Sequence, residues 1–208
     1  MKIKVCGMKY KDNINEVAAL RPDFMGFIFY KSSLRYVGDD WNVEWLNVIP
    51  STTKRVGVFV NEDLDAIKKK VEQFHLDYVQ LHGSESSEVC LEMREKTGVI
   101  KAFGVDELFD LSILNGYKNC CDMFLFDTKT SSHGGSGRTF PWRLLDQYNL
   151  DVPFLLSGGI GPERTKEILI SRHPKMFGLD LNSRFEITPG LKNTDSLNTF
   201  IHTLKKLQ

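Results

Sequence analysis

Two side chains, Cys6 and Asp127, lie where the chain could carry out proton transfer. Cys6 closes a short apolar run near the N-terminus, and Asp127 directly follows the four apolar residues 123–126. A thiolate base and a carboxylic acid together suit proton abstraction beside a carbonyl or an imine. Each also has a plainer interpretation, because a lone Cys is usually a small buried hydrophobe and Asp is common in turns. The choice between these interpretations therefore depends on whether the strands and helices bring Cys6 and Asp127 together.

Further polar groups follow other apolar runs. Arg35 lies in the loop after the second run, His82 ends the fourth, and Asp180 and Ser183 close the eighth. Gly158 and Gly159 follow the seventh run and lead into a helix opened by Pro162. Backbone N–H groups in such a turn bind phosphate well, although a tight turn that needs positive φ would use the same glycines.

The apolar runs alternate with helical patterns along the chain. The predicted strands are 3–6, 24–29, 55–60, 78–82, 99–105, 123–126, 154–157 and 177–181. The predicted helices are about 12–20, 43–49, 62–74, 86–96, 107–114, 142–148, 162–170 and 195–207. This order predicts an α/β protein, a (β/α)8 TIM barrel forming a single catalytic domain over residues 1–208. A doubly wound open sheet is the alternative, but no GxGxxG motif follows the first strand.

Several residues are interpreted as ends of these elements. Asp12 and Asn61 are predicted N-caps, Pro141 a helix start, and Gly98 a helix stop. The Gly-rich residues 130–137 are expected to form a loop above Asp127. Together with Phe124 and Phe126, this loop is expected to exclude water from the Asp127 carboxyl and raise its pKa. In a barrel the C-terminal strand ends meet at one mouth, so all these polar groups become neighbours.

The composition excludes several classes of function. Twenty-seven basic residues balance 27 acidic ones, so no overall field favours nucleic acid or an anionic membrane. No apolar run approaches the roughly 20 residues of a membrane span. Cys6 and Cys90 stand alone, Cys120 and Cys121 are adjacent, and no CxxC or HxxxH spacing suggests zinc. We expect a reduced, metal-free, cytoplasmic protein.

The motifs resemble those of the phosphoribosylanthranilate isomerases, a family of tryptophan biosynthesis. The opening KVCGM at residues 4–8 resembles the first strand of that family, whose general base is a Cys at this point. The likeness continues in order at 26–30, 33–36, 56–61, 79–83, 125–128, 134–137, 140, 142, 156–160, 178–181, 186 and 189–192. It therefore covers essentially the whole chain.

The resemblance implies an Amadori rearrangement of N-(5-phospho-β-D-ribosyl)anthranilate, a small-molecule substrate. By this likeness Cys6 is the base, Asp127 is the acid, and Arg35 binds the anthranilate carboxylate. The phosphate would rest on backbone groups near Gly158, Gly159 and Ser183; His82 and Asp180 are further candidate substrate contacts. No cofactor is implied, because the imine formed on ring opening is itself the electron sink. A monomer and a homodimer are both compatible with the sequence.

Two departures from the family pattern affect this interpretation. Leu34 occupies a position where the family usually has Pro, which predicts a less rigid loop around Arg35. Residues 182–185 (NSRF) replace a turn of small residues, so Arg184 could add a charged contact to the phosphate. The rival hypotheses are another sugar-phosphate isomerase or epimerase on the same barrel and a phosphosugar-binding protein without turnover. The histidine-pathway isomerase would carry Asp in place of Cys6, and an inactive binder would not need both Cys6 and Asp127.

Overall fold

Eight parallel strands close into a barrel in the computed structural model, which describes residues 1–129, 140–171 and 173–207. Each strand pairs with the next in sequence, and β8 pairs with β1 to complete the ring. The strands are β1 (Lys2–Val5), β2 (Phe24–Ile28), β3 (Lys54–Phe59), β4 (Tyr78–Leu81), β5 (Gly98–Val105), β6 (Met123–Thr128), β7 (Phe154–Leu156) and β8 (Met176–Leu181). The predicted barrel is confirmed, and the open sheet is wrong.

Among the described residues, five α-helices pack outside the strands. They are α1 (Lys11–Ala19), α2 (Leu64–Phe74), α3 (Ser87–Arg94), α4 (Thr165–Ile170) and α5 (Thr194–Lys206). The helices predicted after β2, β5 and β6 are instead 3₁₀ segments, at Val43–Val48, Leu111–Gly116 and Trp142–Gln147. Each is a six-residue connector, the kind of short segment in which 3₁₀ helices occur. In the described part of the chain, no helix is long and apolar enough to cross a membrane.

The chain between β8 and α5 forms a small hairpin that the sequence analysis did not predict. Its strands, β9 (Glu186–Thr188) and β10 (Leu191–Lys192), are antiparallel and follow a 3₁₀ turn at Ser183–Phe185. Phe185 is buried and packs against Phe200 of α5, with ring centroids 5.0 Å apart. The hairpin is thereby fixed beside the C-terminal end of the barrel.

Three predicted helix ends were wrong. Tyr10, not Asp12, occupies the N-cap of α1, and Asp12 lies inside its first turn. Asp63 caps α2 by accepting from the Ala66 N–H, whereas Asn61 adopts positive φ and accepts from the Ser84 N–H at 2.7 Å. Helix α3 ends at Arg94, and Gly98 instead begins β5. In each case the predicted residue was polar or Gly, but another residue ends or caps the helix.

The core has an inner and an outer layer. The barrel interior holds a compact apolar cluster of Phe24, Val56, Ile100, Ala102, Met123, Leu125 and Leu155. Successive strand residues face opposite sides, so Phe124 and Phe126 of β6 point out into the larger cluster beneath the helices. Asp127 continues the inward row of Met123 and Leu125. The prediction that these two Phe side chains enclose Asp127 is therefore wrong.

Barrel closure depends on a close approach at Gly178 of β8. A Cβ atom there would collide with the backbone carbonyl of Lys2 in β1. We expect Gly178→Ala to destabilise the fold by about 1–3 kcal/mol, because backbone atoms on both strands would have to shift. Urea unfolding measures this. The control is Gly116→Ala, whose Cβ would meet nothing within 4 Å and should change stability by less than about 0.5 kcal/mol. Equal stability of the two variants would contradict the steric argument.

Candidate active site

The C-terminal strand ends surround one cleft at the mouth of the barrel. All the predicted site residues line it: Cys6, Arg35, His82, Asp127, Gly158, Gly159, Asp180 and Ser183. The expected juxtaposition across the barrel mouth is therefore present. The Gly-rich residues 130–137, predicted to form a loop above Asp127, lie outside the described part of the chain.

Cys6 lies at the floor of the cleft, directly after β1, and only 3% of it is exposed. The missing side chain of Gly26 in β2 makes room for it, since a Cβ at Gly26 would lie 2.7 Å from the Cys6 Sγ. Burial raises the pKa of the Cys6 thiol, and Lys4 is the strongest group opposing that rise. Lys192 opposes it too, more weakly. Nearby cations therefore favour the thiolate form of Cys6.

Asp127 lies in β6 with its carboxyl turned into the cleft. Burial is the main cause that raises the pKa of Asp127 to about 6, and the negative charge of Asp180 adds to it. The hydrogen bond from the Thr128 N–H, at 2.8 Å, and the neighbouring Ser157 act in the opposite direction. At pH 7 such a group is protonated in roughly one molecule in ten, compared with about one in a thousand for an ordinary Asp. The pKa of Asp127 is therefore raised, as predicted, but the Phe side chains point outward and do not cause the rise.

His82 stands beside Asp127. Its Nε2 lies 3.6 Å from the Asp127 Oδ2, and its Nδ1 lies 2.7 Å from the Gln80 Nε2. The ring is thus positioned between the Gln80 amide and the Asp127 carboxyl. The Gln80 amide oxygen is buried and has no hydrogen-bond partner among the described residues. Sequence analysis missed Gln80 because it appeared to be an ordinary strand residue.

Arg35, predicted to bind a carboxylate, already holds one from the protein. Its Nε and Nη2 grip Glu186 of β9, with Nη2–Oε2 at 2.6 Å and Nε–Oε1 at 2.9 Å. Burial would raise the pKa of Glu186, but Arg35 and Lys192 together lower it. The Lys192 Nζ lies 2.6 Å from Glu186 and 2.7 Å from Asn182. Within the described residues, the Arg35 Nη1 makes no hydrogen bond, so one edge of the guanidinium stays available to a ligand.

The opposite wall is built from backbone. Gly158 and Gly159 both have positive φ, at 85° and 64°, and a Cβ at Gly158 would collide with the Thr128 hydroxyl. Bare backbone in this conformation makes a concave surface suited to an anion. Ser183 begins the 3₁₀ turn after β8, and Arg184 next to it also lines the cleft.

Leu34, the first departure from the family pattern, is 74% exposed in the loop before Arg35. The loop is held locally by the Arg35 N–H, which donates to the Ser33 Oγ at 3.1 Å. Because Arg35 is also tied to Glu186, its side chain is positioned from the hairpin as well as from its own loop.

Three further thiols meet behind β5, outside the cleft. Cys90 of α3 approaches Cys120 and Cys121, and the three sulfur atoms all lie within 4.8 Å of one another. The interpretation of Cys90 as an isolated cysteine was therefore wrong, since the fold joins residues about 30 positions apart. These three sulfur atoms lie close enough together to bind one soft metal ion. They are not connected with the chemistry of the mouth.

Comparison with known proteins agrees with this geometry. Residues 3–203 match the family model of N-(5'-phosphoribosyl)anthranilate (PRA) isomerase. The chain belongs to the PRA isomerase family. A Parabacteroides distasonis N-(5'-phosphoribosyl)anthranilate isomerase is 44% identical over 98% of this chain and 93% of its own length.

Solved PRA isomerases share the fold. The Thermotoga maritima structure superposes with a TM-score of 0.88 at 35% identity, covering 99% of each chain. A PRA isomerase in complex with reduced 1-(o-carboxyphenylamino)-1-deoxyribulose 5-phosphate gives 0.84 at 31% identity, again over 99% of each chain. The family carries out the Amadori rearrangement in tryptophan biosynthesis, and this chain is an isomerase of that step.

The contact between Gly26 and Cys6 yields a test of the isomerase site. Gly26→Ala should displace the Cys6 sulfur and lower kcat by up to roughly 100-fold, because small misplacements of a reacting group are costly. Steady-state kinetics measures the loss, and circular dichroism checks the fold. Gly104→Ala in β5 is the control, since its Cβ would meet its nearest atom at an ordinary 3.4 Å. A parental kcat in Gly26→Ala would mean that the sulfur position is not critical.

Proposed function

We propose that the cleft performs the PRA isomerase reaction by acid–base catalysis, with Asp127 as the acid and Cys6 as the base. The observation that carries this is the meeting, in one cleft, of a buried thiol and a carboxyl whose pKa is raised to about 6. A general acid must be protonated near working pH, and burial supplies that condition for Asp127. Cys6 lies on the opposite side of the barrel, at the end of β1, as a separate base requires.

The reaction proceeds in two proton transfers. Asp127 gives its proton to the ribose ring oxygen as the bond from that oxygen to C1′ breaks, which leaves an iminium. The Cys6 thiolate then removes the proton from C2′, and the electron pair moves to the iminium nitrogen to give an enolamine. Tautomerisation of the enolamine yields the ketone, 1-(2-carboxyphenylamino)-1-deoxy-D-ribulose 5-phosphate. Solvent exchange returns the proton from Cys6 to the medium and reprotonates Asp127.

The substrate would lie across the mouth with its two anionic ends apart. The anthranilate carboxylate binds the open edge of Arg35, which Glu186 holds in place. The phosphate rests on backbone at Gly158, Gly159 and Ser183, with Arg184 as an added cation. His82 and Asp180 lie between these ends, within reach of the ribose hydroxyls.

Residues 1–208 act as one catalytic domain in this proposal, in a cytoplasmic enzyme. Its four cysteines are free and buried, which suits a reducing compartment. Cell fractionation tests the location, and light scattering distinguishes a monomer from a homodimer.

Single replacements of the acid and the base test the proposal directly. Asp127→Asn and Cys6→Ala should each lower kcat by at least roughly 10²–10⁴-fold, since each removes a proton-transfer group. Both should still bind a reduced, non-reacting product analogue in calorimetry, because neither residue is the main anchor of an anionic end. Near-parental turnover in either variant would remove that residue from the mechanism.

Replacement of Arg35 tests the binding of the carboxylate. Arg35→Met should raise KM much more than it lowers kcat, because the guanidinium binds ground state and transition state alike. Arg35→Lys should rescue poorly, since an ammonium cannot contact Glu186 and a ligand carboxylate through two fixed edges. Steady-state kinetics measures both KM and kcat. Glu186→Gln is the comparison, because it keeps the Arg35 guanidinium but weakens the contact that positions it. An unchanged KM in Arg35→Met would assign the carboxylate to another cation.

A further inference from the structure

Beneath the cleft lies a buried ion pair that the sequence analysis did not single out. The Lys4 Nζ is 2.8 Å from the Asp180 Oδ1, and the two side chains are 0% and 5% exposed. β1 pairs with β8 in a register that sets Lys4 opposite Asp180. An apolar cluster fills the barrel interior on the other strands. A buried pair adds little or nothing to stability compared with apolar residues of similar size, so stability does not account for it.

The ammonium end of the pair faces the proposed base. Lys4 and Cys6 are alternate residues at the end of β1, so their side chains project to the same, inner side. Lys4 lowers the pKa of the Cys6 thiol more than any other group does. Lys192, from β10, also acts on the thiol, but it is committed to Glu186 and Asn182. Lys4 is thus the cation that acts most strongly on the Cys6 thiol.

The carboxylate end faces the proposed acid through one hydroxyl. The Ser157 Oγ donates to the Asp180 Oδ2 at 3.3 Å, and Ser157 also lowers the pKa of Asp127. The Lys4–Asp180 pair thus acts on Cys6 at its ammonium end and on Asp127 at its carboxylate end. The other groups that face Asp127 are the His82 ring, at 3.6 Å, and the Thr128 N–H.

The orientation of the pair gives it opposite effects at its two ends. Burial raises the pKa of Cys6, and Lys4 lowers it more than Asp180 raises it. Burial also raises the pKa of Asp127, and there Asp180 raises it more than Lys4 lowers it. A thiolate and a carboxylic acid are each the minor form near neutral pH, and both are favoured by this one arrangement.

We propose that Lys4 and Asp180 form an oriented charge pair that sets both protonation states of the reaction, the thiolate of Cys6 and the carboxylic acid of Asp127. Both are positioning residues that act through their neighbours, which gives Asp180 a role beyond contact with substrate. The proposal rests on the proposed functions of Cys6 and Asp127.

The pH dependence of kcat/KM distinguishes this role from simple packing. The active form carries a deprotonated Cys6 and a protonated Asp127, although the thiol is the weaker acid. The profile is then a bell whose acidic limb reports Asp127, near pH 6, and whose alkaline limb reports Cys6. The plateau between them falls tenfold for each pH unit by which the limbs move apart, because the fraction in the active form falls by that factor.

The experiment compares the parent enzyme with Lys4→Met and Asp180→Asn. Lys4→Met should move the alkaline limb to higher pH, which separates the limbs and lowers the plateau of kcat/KM by the corresponding factor. Asp180→Asn should move the acidic limb to lower pH, because it removes the charge that raises the pKa of Asp127. A lower plateau with unmoved limbs would mean that the pair is structural, and would overturn the proposal.

A matched control is available in a second buried pair. The Lys101 Nζ lies 3.1 Å from Glu85, and both side chains are less than 5% exposed. Lys101→Met should leave both limbs at their parental pH even if it lowers stability. Limbs that moved equally in Lys101→Met would show that loss of any buried lysine has this effect, and would count against the proposal.

Two further measurements keep the test decisive. If a single variant does not fold, the double variant Lys4→Gln/Asp180→Asn removes both charges without leaving either unpaired, and its limbs should also separate. The rate of Cys6 alkylation by iodoacetamide against pH, followed by peptide mass, reports the thiolate without turnover. It should shift to higher pH in Lys4→Met. An unshifted alkylation profile would overturn the charge pair alone, whereas turnover by Cys6→Ala would overturn the proposed base.

Discussion

The pairing of β1 with β8 is the constraint on which the rest of the structure depends. It closes the sheet, and closure forces alternate residues of every strand into a narrow interior. At this seam the interior is polar, because the register sets Lys4 against Asp180 and leaves Cys6 immediately above them. The backbone hydrogen bond from the Cys6 N–H to the Leu181 carbonyl continues the seam to the floor of the cleft. Barrel closure and the placement of Cys6 are thus one and the same structural event.

The polar seam is tolerated because nearly every group in it has a partner. Lys4 is bound to Asp180, Asp180 to Ser157, and Lys192 to both Glu186 and Asn182. Loss of one partner would destabilise the fold, since nothing would then compensate the desolvation of the remaining buried charge. Burial of the apolar layers beneath and around this network offsets its cost in free energy. This division explains how a small barrel can keep ionisable groups at its centre and remain folded.

Sequence patterns predicted the barrel because each βα unit leaves a local signature, an apolar run followed by a helical one. They also placed Cys6 and Asp127 correctly at strand ends, since position along a strand is a local property. They could not predict the charge pair, because Lys4 and Asp180 lie 176 residues apart and only the register of a closed sheet joins them. The same limit hid the contact between Cys90 and Cys121. The outward direction of Phe124 and Phe126 follows from the alternation of side chains along β6, so the sequence was sufficient to predict it. The prediction that they enclose Asp127 overlooked this alternation.

The hairpin after β8 has a consequence for how the substrate would be received. Arg35 has one of the most flexible side chains, yet Glu186 fixes two of its nitrogens before any ligand arrives. The rotamer entropy of that side chain is therefore lost once, during folding, and is not lost again at each encounter with substrate. Immobilising such a side chain costs about 0.5–1.5 kcal/mol, so a pre-set guanidinium would bind its carboxylate up to roughly tenfold more tightly than a mobile one. On this account a hairpin that touches no reacting atom contributes to the speed of the enzyme at low substrate concentration.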